Sequence, residues 1–419
     1  MNKMVRQVGF TGDGSGEGRP LDSCIRCGSC AAVCPTYREE PSERLSARGR
    51  VSLLRKFGEG EIGHTELFDA SIFSCVLCGA CRTVCPLGIE VTGDMYEARK
   101  RLWKADRKRR LIGHAIRLVF RAPGFSYSVL KSLVGIGDLL PVKALRPFRG
   151  LNEMGLSLPA ATLRSGGSLF KAAKARGRIA VMAGCTVNYI YPGIGASLIK
   201  VLNSLRYDVI LPQGEVCCGA PHLAMGLTGE AERMAEQNVR SFMDLHVEGV
   251  VSPCPTCVHG IKTTYRGLVG GGIDNAFDAT EFLALHGEEL PGLREGGQNR
   301  SSDAQRGDPL RTAVYHDPCH SVNYLGIREQ PRRILRSLSY TPVEPREKGC
   351  CGFGGTFRLL NRDLSRNMLR RKAVAWGDAE MIVTACPNCV LQLSGGFRDK
   401  PVRHLVEVVA ERLGLRGRG

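Results

Sequence analysis

Two stretches of this 419-residue chain, GEVCCGAP (214–221) and KGCCGFGG (348–355), set two cysteines side by side and follow them with a glycine. Adjacent cysteines seldom bridge one another, because so small a ring distorts the peptide between them. The chain carries 18 cysteines, and its opening residues, MNKMVRQVGF, lack the apolar run of a secretory signal. Thiols kept reduced point to metal ligation rather than disulfides.

Eight of the cysteines form two runs. CIRCGSCAAVCP supplies Cys24, Cys27, Cys30 and Cys34, and CVLCGACRTVCP supplies Cys75, Cys78, Cys81 and Cys85. Both read C-x2-C-x2-C-x3-C-P, and each cysteine lies 51 residues from its counterpart. Zinc sites draw on pairs of cysteines or histidines, not on four thiols within eleven residues. The pattern resembles the run of bacterial two-cluster ferredoxins, where three thiolates wrap one 4Fe–4S cubane and the fourth is carried to the other. It predicts Cys24, Cys27, Cys30 and Cys85 on one cubane, with Cys75, Cys78, Cys81 and Cys34 on its partner. Gly28 and Gly79 would let backbone amides approach the sulfides, while Pro35 and Pro86 end the turn. Nothing in these runs binds a substrate; they make a wire.

The remaining ten cysteines fall into two sets of five. The first is Cys185, the pair Cys217 and Cys218, then Cys254 and Cys257 in SPCPTC. The second is Cys319, the pair Cys350 and Cys351, then Cys386 and Cys389 in TACPNC. Intervening lengths are 31 and 35 residues in the first set, 30 and 34 in the second, and no cysteine is left over. RIAVMAGC, YDVILPQGEVCC and EGVVSPCPTC are short β-branched runs ending at the thiols, and RTAVYHDPC, SYTPVEPREKGCC and AEMIVTACPNC repeat the order. They alternate with amphipathic stretches such as IGASLIKVLNSL and EAERMAEQNVRSFMDLH, the signature of βαβ units on a parallel sheet. Ten thiols beyond the carboxyl ends of strands then sit where open α/β sheets hold ligands, five to a crevice. The glycines of CCGA and CCGFGG are expected to let the chain pass close to an inorganic cluster.

Each set resembles the cysteine-rich, or CCG, domain of heterodisulfide reductase catalytic subunits and of the iron–sulfur subunits of glycolate oxidase and related lactate dehydrogenases. The order here is similar to the glycolate oxidase iron–sulfur subunit and to the D-type heterodisulfide reductase subunit, over nearly the whole chain. ACPNCV looks like the reductase form, whereas ARGRVSLLRKF, YHDPCHSVNYLGIREQPRRIL and CCGFGGTF resemble the glycolate and lactate subunits. The resemblance implies two 4Fe–4S cubanes and one or two further, non-cubane 4Fe–4S clusters in the CCG domains. It implies an oxidoreductase subunit that passes electrons from an FAD-containing hydroxyacid dehydrogenase subunit towards membrane quinone or a membrane subunit. The alternative is a catalytic subunit that reduces a disulfide at a CCG-bound cluster.

The expected fold is α/β: an α-helical two-cluster ferredoxin-like domain, then two duplicated parallel-sheet CCG domains. Boundaries follow composition, with a disordered leader at 1–20, the ferredoxin-like domain at 21–97, a basic helical connector at 98–176, CCG domains at 177–291 and 312–419, and a polar linker at 292–311. His320 is the candidate catalytic residue, a proton or hydrogen-bond donor at a cluster sulfur. His316 and His222 share that reading with a plainer one as packing or capping groups. In TEFLALH (280–286), Glu281 is expected to cap a helix. PGIGASL lacks the third glycine of a dinucleotide fingerprint, so an electron source must be a partner protein.

Charge is unevenly spread: the net value is +17, and residues 99–150 hold 14 Lys or Arg against two acids. No nucleic-acid motif or aromatic interleaving accompanies this patch, so nucleic acid is not an expected partner. ARKRLWKADRKRRLIGHAIRLVF (98–120) reads as one basic amphipathic helix, either packed across domains or lying on anionic lipid. No stretch has the roughly 18 uninterrupted apolar residues of a membrane span. The expected location is cytoplasmic, with a peripheral place on the inner membrane face.

Overall fold

The computed structural model describes residues 21–137, 158–290, 293, 311–376 and 380–415. The leader at 1–20 and nearly all of the linker at 292–311 lie outside them.

The first unit is helical. Ser46 caps the helix Ala47–Glu59 by accepting from the Gly49 amide at 2.8 Å, and Thr65 caps Glu66–Phe73 from the Phe68 amide at 3.1 Å. The Glu90 carboxylate accepts from the Thr92 amide at 2.9 Å and opens Val91–Leu102. These three helices bury Leu54, Ile72, Met95 and Ala98 against one another. The cysteine runs cross this core on the short helices Ser29–Ala32, Pro35–Glu39 and Ala80–Thr83.

The basic stretch after it is not one helix. Val91–Leu102 ends, and Asp106 starts a second helix, Arg107–Arg121, by accepting from the Arg109 amide at 2.7 Å. A carboxylate at that point favours a new N-terminus over continuation. A further helix follows at Pro123–Gly137.

Two sheets make up the rest. The first holds β1 (Leu169–Phe170), β2 (Gly177–Val181), β3 (Tyr207–Ile210), β4 (Gly249–Ser252) and β5 (Ala276–Asp278) in the order β1-β3-β2-β4-β5. All pairs are parallel except β1 with β3. The second holds β6 (Arg311–His316), β7 (Tyr340–Val343), β8 (Ile382–Thr384) and β9 (Val402–His404) in the order β7-β6-β8-β9, all parallel. Without β1 the two orders coincide. The six runs read as strands from sequence are β2, β3, β4, β6, β7 and β8; β1, β5 and β9 were not foreseen. β1 draws on residues before 177, so the first sheet reaches into the stretch read as connector.

The halves face each other about an approximate two-fold. The helix Pro192–Ser204 packs on Leu405–Arg412, and Ala279–His286 packs on Gln330–Ser337. Pro192–Ser204 follows β2 as Gln330–Ser337 follows β6, and Ala279–His286 follows β5 as Leu405–Arg412 follows β9. Each contact is therefore the other with the halves exchanged. Leu198, Leu202, Phe282, Leu283, Leu335, Val406 and Val409 join one core across this junction. At ~1.5–3 kcal/mol for each large apolar side chain buried, the halves hold together without help from the linker. Asp278, not Glu281, caps Ala279–His286, accepting from the Thr280 amide at 2.8 Å. It directly precedes the helix and so has the reach.

Among the described residues no helix is long and apolar enough to cross a membrane.

Candidate metal centres

The two ferredoxin-type runs have the same backbone as well as the same spacing. Arg26 and Leu77, before the second cysteine of each run, are left-handed with φ of 56° and 59°. Gly28 and Gly79, just after it, are left-handed with φ of 89° and 72° and begin the next short helix. Left-handed turns of this kind aim successive amides at one point, a concavity for an anion. A non-glycine side chain in this region costs on the order of 1 kcal/mol, and the duplication of that cost marks a shared demand.

Cys34, Cys75, Cys78 and Cys81 line one small cavity of about 30 Å³. Cys34, the last thiol of the first run, thus stands with the first three thiols of the second. Burial first, then Cys75, Glu90, Cys34 and Cys30, push the Cys81 thiol far above its ordinary value. Cys30 is pushed up by burial and by Cys24. Cys24 and Cys85 are half-buried against the same helical core.

Two fully buried guanidinium groups, which sequence reading missed, flank this cavity. Arg50 donates to Ser71 O (2.9 Å), Thr36 Oγ1 (3.0 Å) and Ser74 Oγ (2.9 Å), and its Nη1 lies 3.7 Å from Cys34 Sγ. Arg99 donates to Ile72 O (2.9 Å), Cys75 O (2.6 Å) and Ala224 O (2.9 Å), and burial brings it down to about 10. Both occupy the apolar stripe of their helices, Arg50 with Ala47, Val51 and Leu54, Arg99 with Met95 and Leu102. A charge at a stripe position was the available signal. Four thiolates around one metal group concentrate negative charge, and buried cations beside them are the compensation that a low-dielectric site requires.

The ten remaining thiols do not occupy two separate crevices, as expected. Nine of them, all but Cys217, line a single cavity of about 290 Å³ between the sheets. The two-fold turns both sets of strand ends inward, so the crevices merge. Cys217 Sγ lies 3.9 Å from Cys185 Sγ, and Cys351 Sγ lies 3.4 Å from Cys389 Sγ. Across the junction Cys254 stands beside Cys386 and, with Cys389, holds the Cys386 thiol down to about 5. Asn388 accepts from Thr186 Oγ1 at 2.8 Å and points its amide at Cys254 Sγ, 4.0 Å away, so it ties the halves at the thiols. Donation from neighbouring thiols also lowers Cys218 and Cys350. A set with one easily ionised thiol among partners is prepared for metal, which binds the thiolate.

The glycines after the cysteine pairs also meet a packing demand from the protein itself. A Cβ at Gly219 would meet Ala231 on the helix Thr228–Met243, and one at Gly352 would meet Met368 on the helix Arg362–Ala375. Their φ values of 82° and 85° are left-handed, and Gly219 opens the short helix Ala220–Met225. At Gly184 a Cβ would lie 2.9 Å from Cys257 Sγ, and the Gly352 amide donates to Cys350 Sγ at 3.4 Å.

The second set touches the ferredoxin-type unit. Cys78 and Cys350 share a buried apolar cluster with Val76, Phe357 and Met368, and Cys319 packs against it. Asn323 donates to Cys78 O at 2.8 Å. Alongside, Tyr324 stacks on His259 with ring centres 4.1 Å apart, and His320 lies 5.1 Å from Tyr324. His320 Nδ1 is 3.5 Å from Cys319 Sγ, so this imidazole stands at a thiol. His222 does not face a thiol-lined wall; it is fully buried, packs edge-on to Phe120 at 5.0 Å, and both its ring nitrogens lack partners. A second, open cleft of about 670 Å³ reaches Cys78, Cys319 and Cys350 between Arg38, Arg328, Arg332 and Lys348.

Two segments, 179–262 and 313–394, match the cysteine-rich (CCG) domain family, and residues 20–89 match the 4Fe-4S dicluster domain family. The chain joins a 4Fe-4S dicluster domain to two CCG domains. It is 27% identical to the glycolate oxidase iron-sulfur subunit of Escherichia coli and 26% to the probable glycolate oxidase iron-sulfur subunit of Bacillus subtilis, over 94% of each chain. It is 25% identical to the D-type subunit of the dihydromethanophenazine:CoB–CoM heterodisulfide reductase of Methanosarcina barkeri, again over 94% of both. These homologues are oxidoreductase subunits. The thiol-rich, glycine-turned pockets of both domain types fit iron–sulfur groups.

Proposed function

We propose that this chain is the electron-transfer subunit of a flavin-dependent 2-hydroxyacid dehydrogenase of glycolate or lactate type. It takes electrons from a separate FAD-containing subunit and passes them towards quinone. When bound, the iron–sulfur groups supply one-electron storage at each thiol set. The reading assigns Cys24, Cys27, Cys30 and Cys85 to one cubane, Cys75, Cys78, Cys81 and Cys34 to the other, and each set of five to a CCG group. The carrying observation is the contact of Cys78 with Cys350 and Cys319, which leaves no element between the dicluster domain and the second CCG set. With Cys30 near Cys81 and Cys254 beside Cys386, the thiol sets form one unbroken line. The cleft over Cys78, Cys319 and Cys350 is where a redox partner approaches this line from solvent. The exposed Leu111, Leu118, Val119 and Phe125, beside exposed basic residues of Arg107–Arg121, favour a peripheral place on an anionic membrane.

One observation favours a second reading, catalytic disulfide reduction: nine of the ten thiols of the two sets open on one largely apolar cavity with His320 in its wall. There the imidazole would hold the proton that a leaving thiolate takes up.

The experiment mixes reduced chain, without flavoprotein, separately with heterodisulfides and with a quinone analogue. An electron relay ignores the disulfide, yet restores glycolate- or lactate-dependent dye reduction when recombined with its flavin subunit. Stoichiometric reoxidation by disulfide would replace the first reading with the second. In that case His320→Ala slows disulfide cleavage far more than electron relay, because relay moves no proton there.

A further inference from the structure

The two CCG halves share strand order and cysteine spacing, but one buried position beside the thiols differs in chemistry. His316 ends β6, three residues before Cys319, and pairs with Thr384 of β8. In the first half Val181 pairs with Val251, so the next residue, Met182, stands opposite Ser252, three residues before Cys185. Cys254 follows Ser252 by two residues, as Cys386 follows Thr384. The register therefore makes Met182 the counterpart of His316. Both side chains are buried, at 0% and 1% exposure. Met182 packs among Cys218, Cys254 and Cys257 as part of an apolar cluster.

His316 does something else. One of its ring nitrogens and the sulfurs of Cys351 and Cys389 all lie within 4.8 Å of one another. Its Nε2 is buried with no hydrogen-bond partner. The ring is held from behind by Trp376, 5.7 Å between centres, which itself stacks on Phe397. An orphaned buried imidazole nitrogen is costly unless something at the thiols satisfies it.

We propose that His316 is a sixth donor of the second CCG site, an imidazole nitrogen in direct contact with the metal group that its five thiols hold. The first site, with Met182 in that place, has sulfur donors alone. This rests on the reading that Cys319, Cys350, Cys351, Cys386 and Cys389 bind an iron–sulfur group. A neutral nitrogen donor adds none of the negative charge that a further thiolate would bring, and it raises the reduction potential of the group it touches. The second site, which faces Cys78, is thereby the stronger electron acceptor of the two.

Chain labelled with 15N-histidine in a histidine auxotroph, purified without oxygen, is examined by pulsed electron paramagnetic resonance in two redox states. The expected result is a labelled nitrogen coupled to one paramagnetic centre. The coupling persists in His222→Gln, His259→Gln and His320→Gln, and is lost in His316→Met, which installs the residue of the first half. The potential of that centre also falls in His316→Met. If His316→Met does not load iron, the other three variants decide: persistence in all of them supports His316, and loss in any one overturns it. Iron-loaded protein with no labelled coupling overturns this inference alone. Loss of no paramagnetic centre on replacing Cys350 and Cys389 together overturns the CCG site itself and the sixth donor with it.

Discussion

Gly28 and Gly79 hold matching places in the two cysteine runs, yet their neighbours differ. A Cβ at Gly28 would touch only the tip of Arg48 at 3.1 Å, a flexible end. At Gly79 it would sit 2.5 Å from the Tyr324 ring, which is pinned by its hydroxyl on Thr92 (2.8 Å) and by stacking on His259. Both alanine variants bear about 1 kcal/mol for the left-handed backbone. Gly79→Ala adds overpacking of about 1–3 kcal/mol, so its melting temperature is expected to fall at least twice as far. Equal losses would show that Tyr324 is free to yield. His404 carries a pH dependence. Its neutral ring accepts from the Val406 amide at Nδ1 (3.2 Å) and donates from Nε2 to Pro253 O in the other half (2.9 Å). Burial holds it down to about 4, below the ordinary value near 6.5. Its stabilising share is therefore full above about pH 6.5 and is lost as pH falls towards 4, roughly 3 kcal/mol at most. His404→Gln is expected to be less stable at neutral pH but to lose stability less steeply between pH 6.5 and 4 in denaturant titrations. An unchanged slope would rule His404 out as the source.

The helix Arg107–Arg121 divides its basic residues between two tasks. Arg109 is buried, ion-paired with Asp69 and stacked 4.3 Å over Phe73, so it belongs to the fold. Arg107, Lys108, Arg110 and Arg121 are exposed beside Leu111 and Leu118. Replacing those four by Ala is expected to weaken binding to anionic vesicles, each contributing on the order of 1 kcal/mol near such a surface, with little change in melting temperature. Arg109→Ala is expected to do the reverse. It leaves Asp69 buried with His64 as its remaining ion-pair partner and costs about 3–5 kcal/mol. Salt-independent, unaltered vesicle association in the fourfold variant would remove the lipid reading and leave a helix that only packs.

Over the whole molecule, the four thiol sets are expected to hold about 16 iron atoms in anaerobically purified protein, at four per group. Zinc with little iron would end the iron–sulfur reading. Cys85→Ser is expected to damage the centre built by Cys24, Cys27 and Cys30, and loss of the Cys75 centre instead would refute the exchange of thiols. The line of sites also makes the two ferredoxin-type runs unequal. Cys27 is exposed, whereas its counterpart Cys78 packs against Cys350. Cys78→Ser is therefore expected to alter the spectrum of the second CCG centre as well as its own, while Cys27→Ser leaves both CCG centres unchanged. Identical spectral changes in the two variants would mean that the dicluster domain and the second CCG set are not in contact.

Local chemistry was legible in the chain itself. The spacing of all 18 cysteines, the duplication, the six strands that end at thiols and the helical first unit follow from residue type and period, which act over a few neighbours. The buried cations Arg50, Arg99 and Lys372 were visible only as charges out of pattern, because their partners are backbone carbonyls brought near by folding. Three short edge strands escaped notice, since two or three residues carry too little periodicity. The break before Arg107 and the cap at Asp278 turned on which side chain reached an open amide. The merging of two crevices into one cavity, the choice of the second CCG set as neighbour of Cys78, and the contrast of His316 with Met182 belong to tertiary structure alone. They depend on a two-fold made by apolar helix faces from opposite halves, and the sequence separation of those faces exceeds anything a local pattern can encode.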